Sequence, residues 1–144
     1  MKTIRWQFVA EGDGEYASPF RNAEDVSSDL ARREVSTADR ERFVVYLLDA
    51  KHRPIAFETV SVGVLDGSLI HPREVFKSAV AGNAAAILLA HNHPSGDPTP
   101  SGQDREVTRR LKAAGELLGV PIVDHVIVGP SGAHYSFREK GDWQ

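Results

Sequence analysis

The sequence predicts an α/β layer structure in which helices cover a mixed sheet. Residues 43–48 are apolar throughout, as in a strand buried on both faces. Residues 84–90, AAAILLA, form a second run of the same kind, short and wholly apolar. Segments of helical periodicity alternate with strand-like runs, giving the order β-β-α-β-α-β-β after an N-terminal arm. Alternation of this kind builds layered α/β domains.

Taken in chain order, IRWQFV (4–9) reads as a short strand, and residues 11–20, with Gly12, Gly14 and Pro19, as a loop. Ala23, Val26, Leu30 and Ala31 recur at helical spacing and predict a helix over 22–34, capped by Asn22 and packed against the main body. Residues 1–40 are thus an arm with a short strand and a helix, and the dense domain spans 41–144. ERFVVYLLDA (41–50) holds its first strand, Ala50-Lys51-His52-Arg53 makes a polar turn, and residues 55–64, rich in Val, Thr and Phe, return as the second arm of a hairpin. His71-Pro72-Arg73-Glu74 opens a helix: His71 caps it, Pro72 suits the first helical position and Glu74 the first turn. Val75, Phe76, Ala79 and Val80 form its inward face and Gly82 closes it.

Residues 84–90 are the central strand, which ends at His91, and residues 91–100 are a loop rich in Pro and Gly. Ser101 begins a long helix to Leu118, with Val107, Leu111, Ala114, Leu117 and Leu118 inward and Gly119 as its stop. PIVDHVIV (121–128) is another strand, and Gly129-Pro130-Ser131-Gly132 turns the chain into an edge strand at 134–137.

The 144 residues suit one domain. Hydrophobic residues at 41% and charged residues at 26% are ordinary globular composition. There is no cysteine, which excludes a disulfide scaffold, a Cys-based zinc site and a thiol nucleophile. A net charge of −3 gives no electrostatic reason for nucleic-acid binding. Arg105, Arg109, Arg110 and Lys112, interspersed with Asp104 and Glu106, read as a solvated helix face. No run approaches the roughly 18 apolar residues of a membrane span, and the N-terminus lacks a signal-peptide pattern. A soluble, cytoplasmic protein is the expectation. The oligomeric state is left open.

The chemistry-bearing stretch is His91-Asn92-His93-Pro94-Ser95-Gly96-Asp97-Pro98-Thr99-Pro100-Ser101-Gly102-Gln103-Asp104. Two His at i and i+2 where a strand leaves the sheet point to one side, so both imidazoles can reach one ion. Asp104, in the first turn of the next helix, can be folded back onto them. Two imidazoles and a carboxylate suit a borderline metal such as zinc, and three protein ligands leave a fourth tetrahedral position for water. Ser101 and Asp104 also resemble a capping box, a purely structural role. The glycines do not form a phosphate-binding P-loop pattern, HExxH is absent, and zinc deaminases require cysteines this chain lacks. Asp124-His125 is either a structural pair or a hydrogen-bond partner behind a metal-bound His.

His-x-His, seven residues, Ser, two residues, Asp is the metal motif of the JAMM (MPN+) metallopeptidases, residue for residue. With His91-Asn92-His93-Pro94-Ser95-Gly96, His71-Pro72-Arg73-Glu74, Asp124-His125 and Ile127-Val128-Gly129, the chain from about Glu41 to Gly141 resembles the C-terminal domain of RadC-like proteins. The helix-hairpin-helix domain common in that family has no counterpart in residues 1–40. The resemblance implies a three-layer mixed β-sheet with flanking helices, the JAMM/MPN architecture, similar to the cytidine-deaminase-like fold. It implies zinc-dependent hydrolysis of peptide or isopeptide bonds in a protein substrate, with His91, His93 and Asp104 as ligands. Ser101 would stabilise the oxyanion. The general acid/base Glu maps to Glu41, with Glu58 on the return strand as the rival. The alternative is a non-catalytic or DNA-repair-associated binding module that retains the metal site, and a third possibility is a metal-dependent hydrolase or nuclease with another substrate.

Overall fold

A computed structural model describes residues 1–5, 7–9, 11–12, 17–63 and 70–143. Its elements are α1 (Ala23–Arg32), β1 (Arg42–Leu48), β2 (Pro54–Val62), α2 (Pro72–Ala81), β3 (Ala86–Asn92), α3 (Gly102–Leu118), β4 (Ile122–Val128) and β5 (His134–Ser136). The strands form one five-stranded mixed sheet in the order β2-β1-β3-β4-β5. β3 runs antiparallel to β1 and parallel to β4, the long α3 supplying the crossover that a parallel pair requires.

Alternation along the central strands divides the core in two. Phe43, Val45, Leu47, Ile87 and Leu89 face α2 and α3, packing on Val75, Phe76, Val107 and Leu111. Val44, Tyr46, Leu48, Ala86, Leu88 and Ala90 face α1, packing on Ala23, Val26 and Leu30. The result is the three-layer arrangement expected: α1, sheet, then α2 with α3. β1 and β3 are buried along both faces, which is why their sequences read as unbroken apolar runs. The pairing of β3 with β4 carries one irregularity. Ile87 lies opposite Ile122 but Leu89 opposite His125, so β4 holds one extra residue there. This bulge lets Ile122 and His125, three apart, both address the α2/α3 side.

The caps follow the sequence. The Asn22 side chain accepts from the Asp25 N–H, the His71 ring from the Arg73 N–H, and Gly119 ends α3 in the left-handed conformation at φ 71°. On the α1 side, buried Asp29 accepts hydrogen bonds from the Tyr46 hydroxyl at 2.7 Å, Arg33 Nε at 2.7 Å and Arg32 at 2.8 Å. Burial pushes the Asp29 carboxyl up, but these donors outweigh it and leave it below the usual carboxylate range.

Several sequence expectations are corrected. The described residues of 4–9 form no strand; Trp6 lies outside the described residues. Ile4 and Val9 are exposed, no strand among the described residues offers them a ladder, and Phe8 lies against Gly82 at the end of α2 instead. Val80, at the margin of the α2 stripe, is 57% exposed. The buried stripe of α3 is Asp104, Val107, Thr108, Leu111 and Gly115. Leu117 falls on the far side of that stripe and is 88% exposed, while Leu118 lies in the last turn, past the last buried position, and is 51% exposed. On α1, Ala31 is exposed, and Ser27 and Asp29 take inner positions. Residues 13–16, within the expected loop, and Val64, at the end of the expected return strand, lie outside the described residues.

Candidate metal centre

β3 delivers His91 to the α2/α3 side in its last turn of alternation and leaves His93 just beyond the strand end, where its N–H is held by the Val128 carbonyl of β4. The Pro/Gly loop then reverses the chain so that the first turn of α3 faces back. There Asp104 is anchored by a reciprocal capping box: its N–H donates to Ser101 Oγ at 3.0 Å, and its Oδ2 accepts from the Ser101 N–H at 2.7 Å. A capping box usually carries Glu or Gln. Here it is Asp, and both of its carboxylate oxygens face the imidazoles, the capping Oδ2 among them.

His91 Nε2 lies 3.2 Å from Asp104 Oδ1 and His93 Nε2 lies 3.2 Å from Asp104 Oδ2. The two Nε2 atoms are 3.1 Å apart, and the three groups offer ligand atoms all within 4.8 Å of one another. His91 is fully buried and Asp104 is 4% exposed. His93 Nδ1 lies 2.8 Å from the Asp97 carbonyl, which can only accept, so the neutral ring carries its proton on Nδ1 and presents a lone pair at Nε2. His91 Nδ1 is likewise engaged away from the cluster, 2.8 Å from His125 Nε2. The cluster thus brings two ring nitrogens and a carboxylate to one point, a gathering of ligand atoms that a cation would answer. That donor set fits a borderline divalent metal, and His91, His93 and Asp104 can bind one.

The electrostatics run the same way. Burial pushes the His91 imidazole down, away from protonation. The Asp104 hydrogen bond raises His93, so without a metal the carboxylate draws a proton to His93 Nε2, the place a cation would take. Burial would raise Asp104, but the hydrogen bonds with His91 and His93 outweigh it and hold the carboxyl well below the usual range.

Glu41 immediately precedes β1, and its charge acts on both His91 and His93. Glu58 instead accepts a hydrogen bond from the Ser78 hydroxyl of α2 and interacts with the charge of Lys77. What brings Glu41 here is a residue that sequence reasoning passed over. Asn92, between the two His, turns its fully buried side chain to the other face and grips the segment flanking Glu41. Its Oδ1 accepts from the Arg42 N–H at 2.6 Å, and its Nδ2 donates to the Ala38 carbonyl at 3.3 Å and the Arg40 carbonyl at 3.0 Å. Strand alternation predicts that the middle residue of His-x-His faces away; nothing local says what it would hold.

The basic residues of α3 are committed to the protein itself. Arg105 pairs with Asp142, Arg109 with Glu106, Arg110 donates to the Ile70 carbonyl and Lys112 to the Trp143 carbonyl. Asp124 accepts from the Ser136 hydroxyl and from the N–H groups of His125 and Arg138, which ties β4 to the C-terminal turn. No helix among the described residues is long and apolar enough to cross a membrane.

Fold and site together define a three-layer α/β domain with a His-x-His and Asp set able to bind a metal ion. The chain belongs to the RadC-like JAB domain family, whose model matches residues 20–142. It is 57% identical over 101 residues to a UPF0758 protein of Symbiobacterium thermophilum, covering 70% of this chain and 43% of that protein. Against a UPF0758 protein of Caldanaerobacter subterraneus it is 51% identical over 118 residues, 82% of this chain and 50% of the relative. A UPF0758 protein of Thermotoga maritima matches at 53% over 110 residues, 76% of this chain and 49% of that protein. The chain spans about half the length of the curated relatives it matches.

Proposed function

We propose that this domain is a zinc-dependent hydrolase of JAMM type that cleaves peptide or isopeptide bonds in protein substrates. The observation that carries the reading is the cluster of His91, His93 and Asp104, with its ligand atoms within 4.8 Å of one another, in a chain of the RadC-like JAB family. When bound, zinc supplies Lewis-acid polarisation and an acidified water. Glu41, whose charge already reaches both imidazoles, takes a proton from the attacking water and returns it to the leaving amine nitrogen. Ser101 uses its oxygen to accept from the Asp104 N–H, so its hydroxyl proton remains available to donate to the carbonyl oxygen as that oxygen turns negative. His93 and Asp104 are oriented by backbone groups, the Asp97 carbonyl and the Ser101 N–H, so substrate binding need not order them.

The test is a cleavage panel with zinc-loaded protein: unstructured peptides, isopeptide-linked conjugates, and single- and double-stranded nucleic acid, each with and without chelator. Chelator-sensitive cleavage of an amide substrate is the expected result. Cleavage of nucleic acid alone would overturn the substrate class. Stoichiometric zinc without any hydrolysis would favour a binding module that keeps the site.

A further inference from the structure

Behind His91 lies a buried chain of hydrogen bonds that the proposed reaction does not use. His91 Nδ1 is 2.8 Å from His125 Nε2, and His125 Nδ1 is 2.7 Å from Thr108 Oγ1. Thr108 Oγ1 is in turn 2.6 Å from the backbone carbonyl oxygen of Asp104. His91, His125 and Thr108 are all buried, at 0%, 0% and 4% exposure. The direction of this chain follows from its last link. Two oxygens 2.6 Å apart need a proton between them, and a carbonyl has none to give. The Thr108 hydroxyl proton therefore points at Asp104, and Thr108 can only accept from His125. A neutral His125 then carries its proton on Nδ1 and leaves Nε2 as an acceptor. His91 must donate into it from Nδ1, which leaves its Nε2 bare.

We infer that the Thr108–His125 pair is a positioning device that fixes the tautomer of His91, so that Nε2 faces Asp104 as a lone pair ready for the metal. It rests on the metal-site reading proposed above. Ring packing holds the relay in place. His125 is stacked on Phe137 with centroids 5.1 Å apart and planes 9° from parallel, and meets the edge of Phe43 at 5.5 Å. Phe43 also stacks on His91 at 5.9 Å. The β4 bulge is what turns His125 to this side. The relay closes on the residue that opens the site: the carboxylate of Asp104 is a ligand, and its carbonyl is the terminal acceptor that sets the ligand opposite. His93 reaches the same state through a single carbonyl, that of Asp97.

The experiment compares wild type, Thr108→Val and Thr108→Ser. Zinc affinity is measured by chelator competition, melting temperature is recorded on the same preparations, and histidine tautomers are read by long-range 1H–15N correlation. Removing the hydroxyl strands His125 Nδ1, and Thr108→Val should weaken zinc binding by roughly 10–100-fold, the usual worth of a group that orients a metal-bound His. Thr108→Ser should restore wild-type affinity. In wild type, His91 and His125 should both be protonated on Nδ1. Folded Thr108→Val with wild-type zinc affinity, or His91 protonated on Nε2 in wild type, would overturn the relay. The tautomer readout needs no variant, so a poorly folding Thr108→Val leaves the inference testable. Wild type that binds no zinc yet shows Nδ1–H at His91 would fail the metal reading and support the relay.

Discussion

Each face of the sheet buries an aspartate, and the two are built in opposite ways. Asp29, on the α1 side, is surrounded by donors: a tyrosine hydroxyl and two guanidinium groups. Its charge is answered and its lone pairs are used, so the cluster is complete within the chain. Asp104, on the α2/α3 side, meets two imidazole nitrogens, and the other nitrogen of each ring is engaged elsewhere, by His125 and by the Asp97 carbonyl. With those imidazoles it could hold a metal ion. The same residue type, similarly buried, is a brace in one place and a member of a set able to bind a metal in the other. Burial alone does not mark a functional carboxylate; the proton inventory of its neighbours does.

The largest expected effect falls on the incomplete cluster. Replacing His91, His93 or Asp104 with Ala removes one of three protein bonds to the ion and should empty the site, seen as loss of zinc by elemental analysis and of all chelator-sensitive activity. Full zinc occupancy in His93→Ala would remove that residue from the cage. Asp29→Asn, by contrast, should leave zinc untouched, and any loss of metal there would break the separation of the two faces.

Next in size is Glu41→Gln, which keeps shape but cannot accept a proton. Metal content should stay normal while hydrolysis falls by roughly 10²–10⁴-fold. A fully active Glu41→Gln beside an inactive Glu58→Gln would move the base to β2.

Ser101→Ala comes third and separates two roles of one residue. As an oxyanion donor, Ser101 should lower kcat by about 10²-fold on removal. As the cap of α3 it should cost about 1 kcal/mol of stability. A lowered melting temperature with unchanged kcat would leave it a cap alone.

The smallest effect belongs to the complete cluster. Asp29→Ala should cost about 1–3 kcal/mol in denaturant unfolding, because the buried Tyr46 hydroxyl loses its acceptor. The sign with pH follows from the lowered carboxyl. Its contribution is full above the unfolded carboxylate range, near 3.8, and disappears as pH falls through the still lower folded value. Wild type should therefore lose stability in acid more steeply than Asp29→Asn.

What the sequence made legible was what is local. His-x-His at a strand end and Ser-x-x-Asp at a helix start fix their own geometry over a few residues, so the convergence of His91, His93 and Asp104 could be read off the spacing. The layer order was legible because β1 and β3 bury both faces and say so in unbroken apolar runs. Asn92 and Thr108 were not, because what they touch is set by tertiary placement: backbone groups near Glu41 some 50 residues away in one case, an imidazole 17 residues along in the other. Leu117 and Leu118 misled for the reverse reason. They are apolar and helical, but α3 ends its buried stripe at Gly115, where an added Cβ would stand 2.6 Å from the Val120 carbonyl oxygen. Close approach there selects the absence of a side chain, which hydrophobic periodicity does not register.

The extra residue in β4 has a consequence for how this domain can change over generations. Substitutions in 121–125 alter one side chain at a time, but a gain of one codon alters which residue lies opposite Leu89. Without the bulge, the residue opposite Leu89 would be Asp124 rather than His125, placing a carboxylate where His91 finds its acceptor. Deleting Val123 would take out the extra residue and keep His125 opposite Leu89. Inserting one residue between Ile122 and Asp124, with the single bulge retained, would bring Asp124 there and should break the His91–His125 contact from a position outside the His91, His93 and Asp104 cluster.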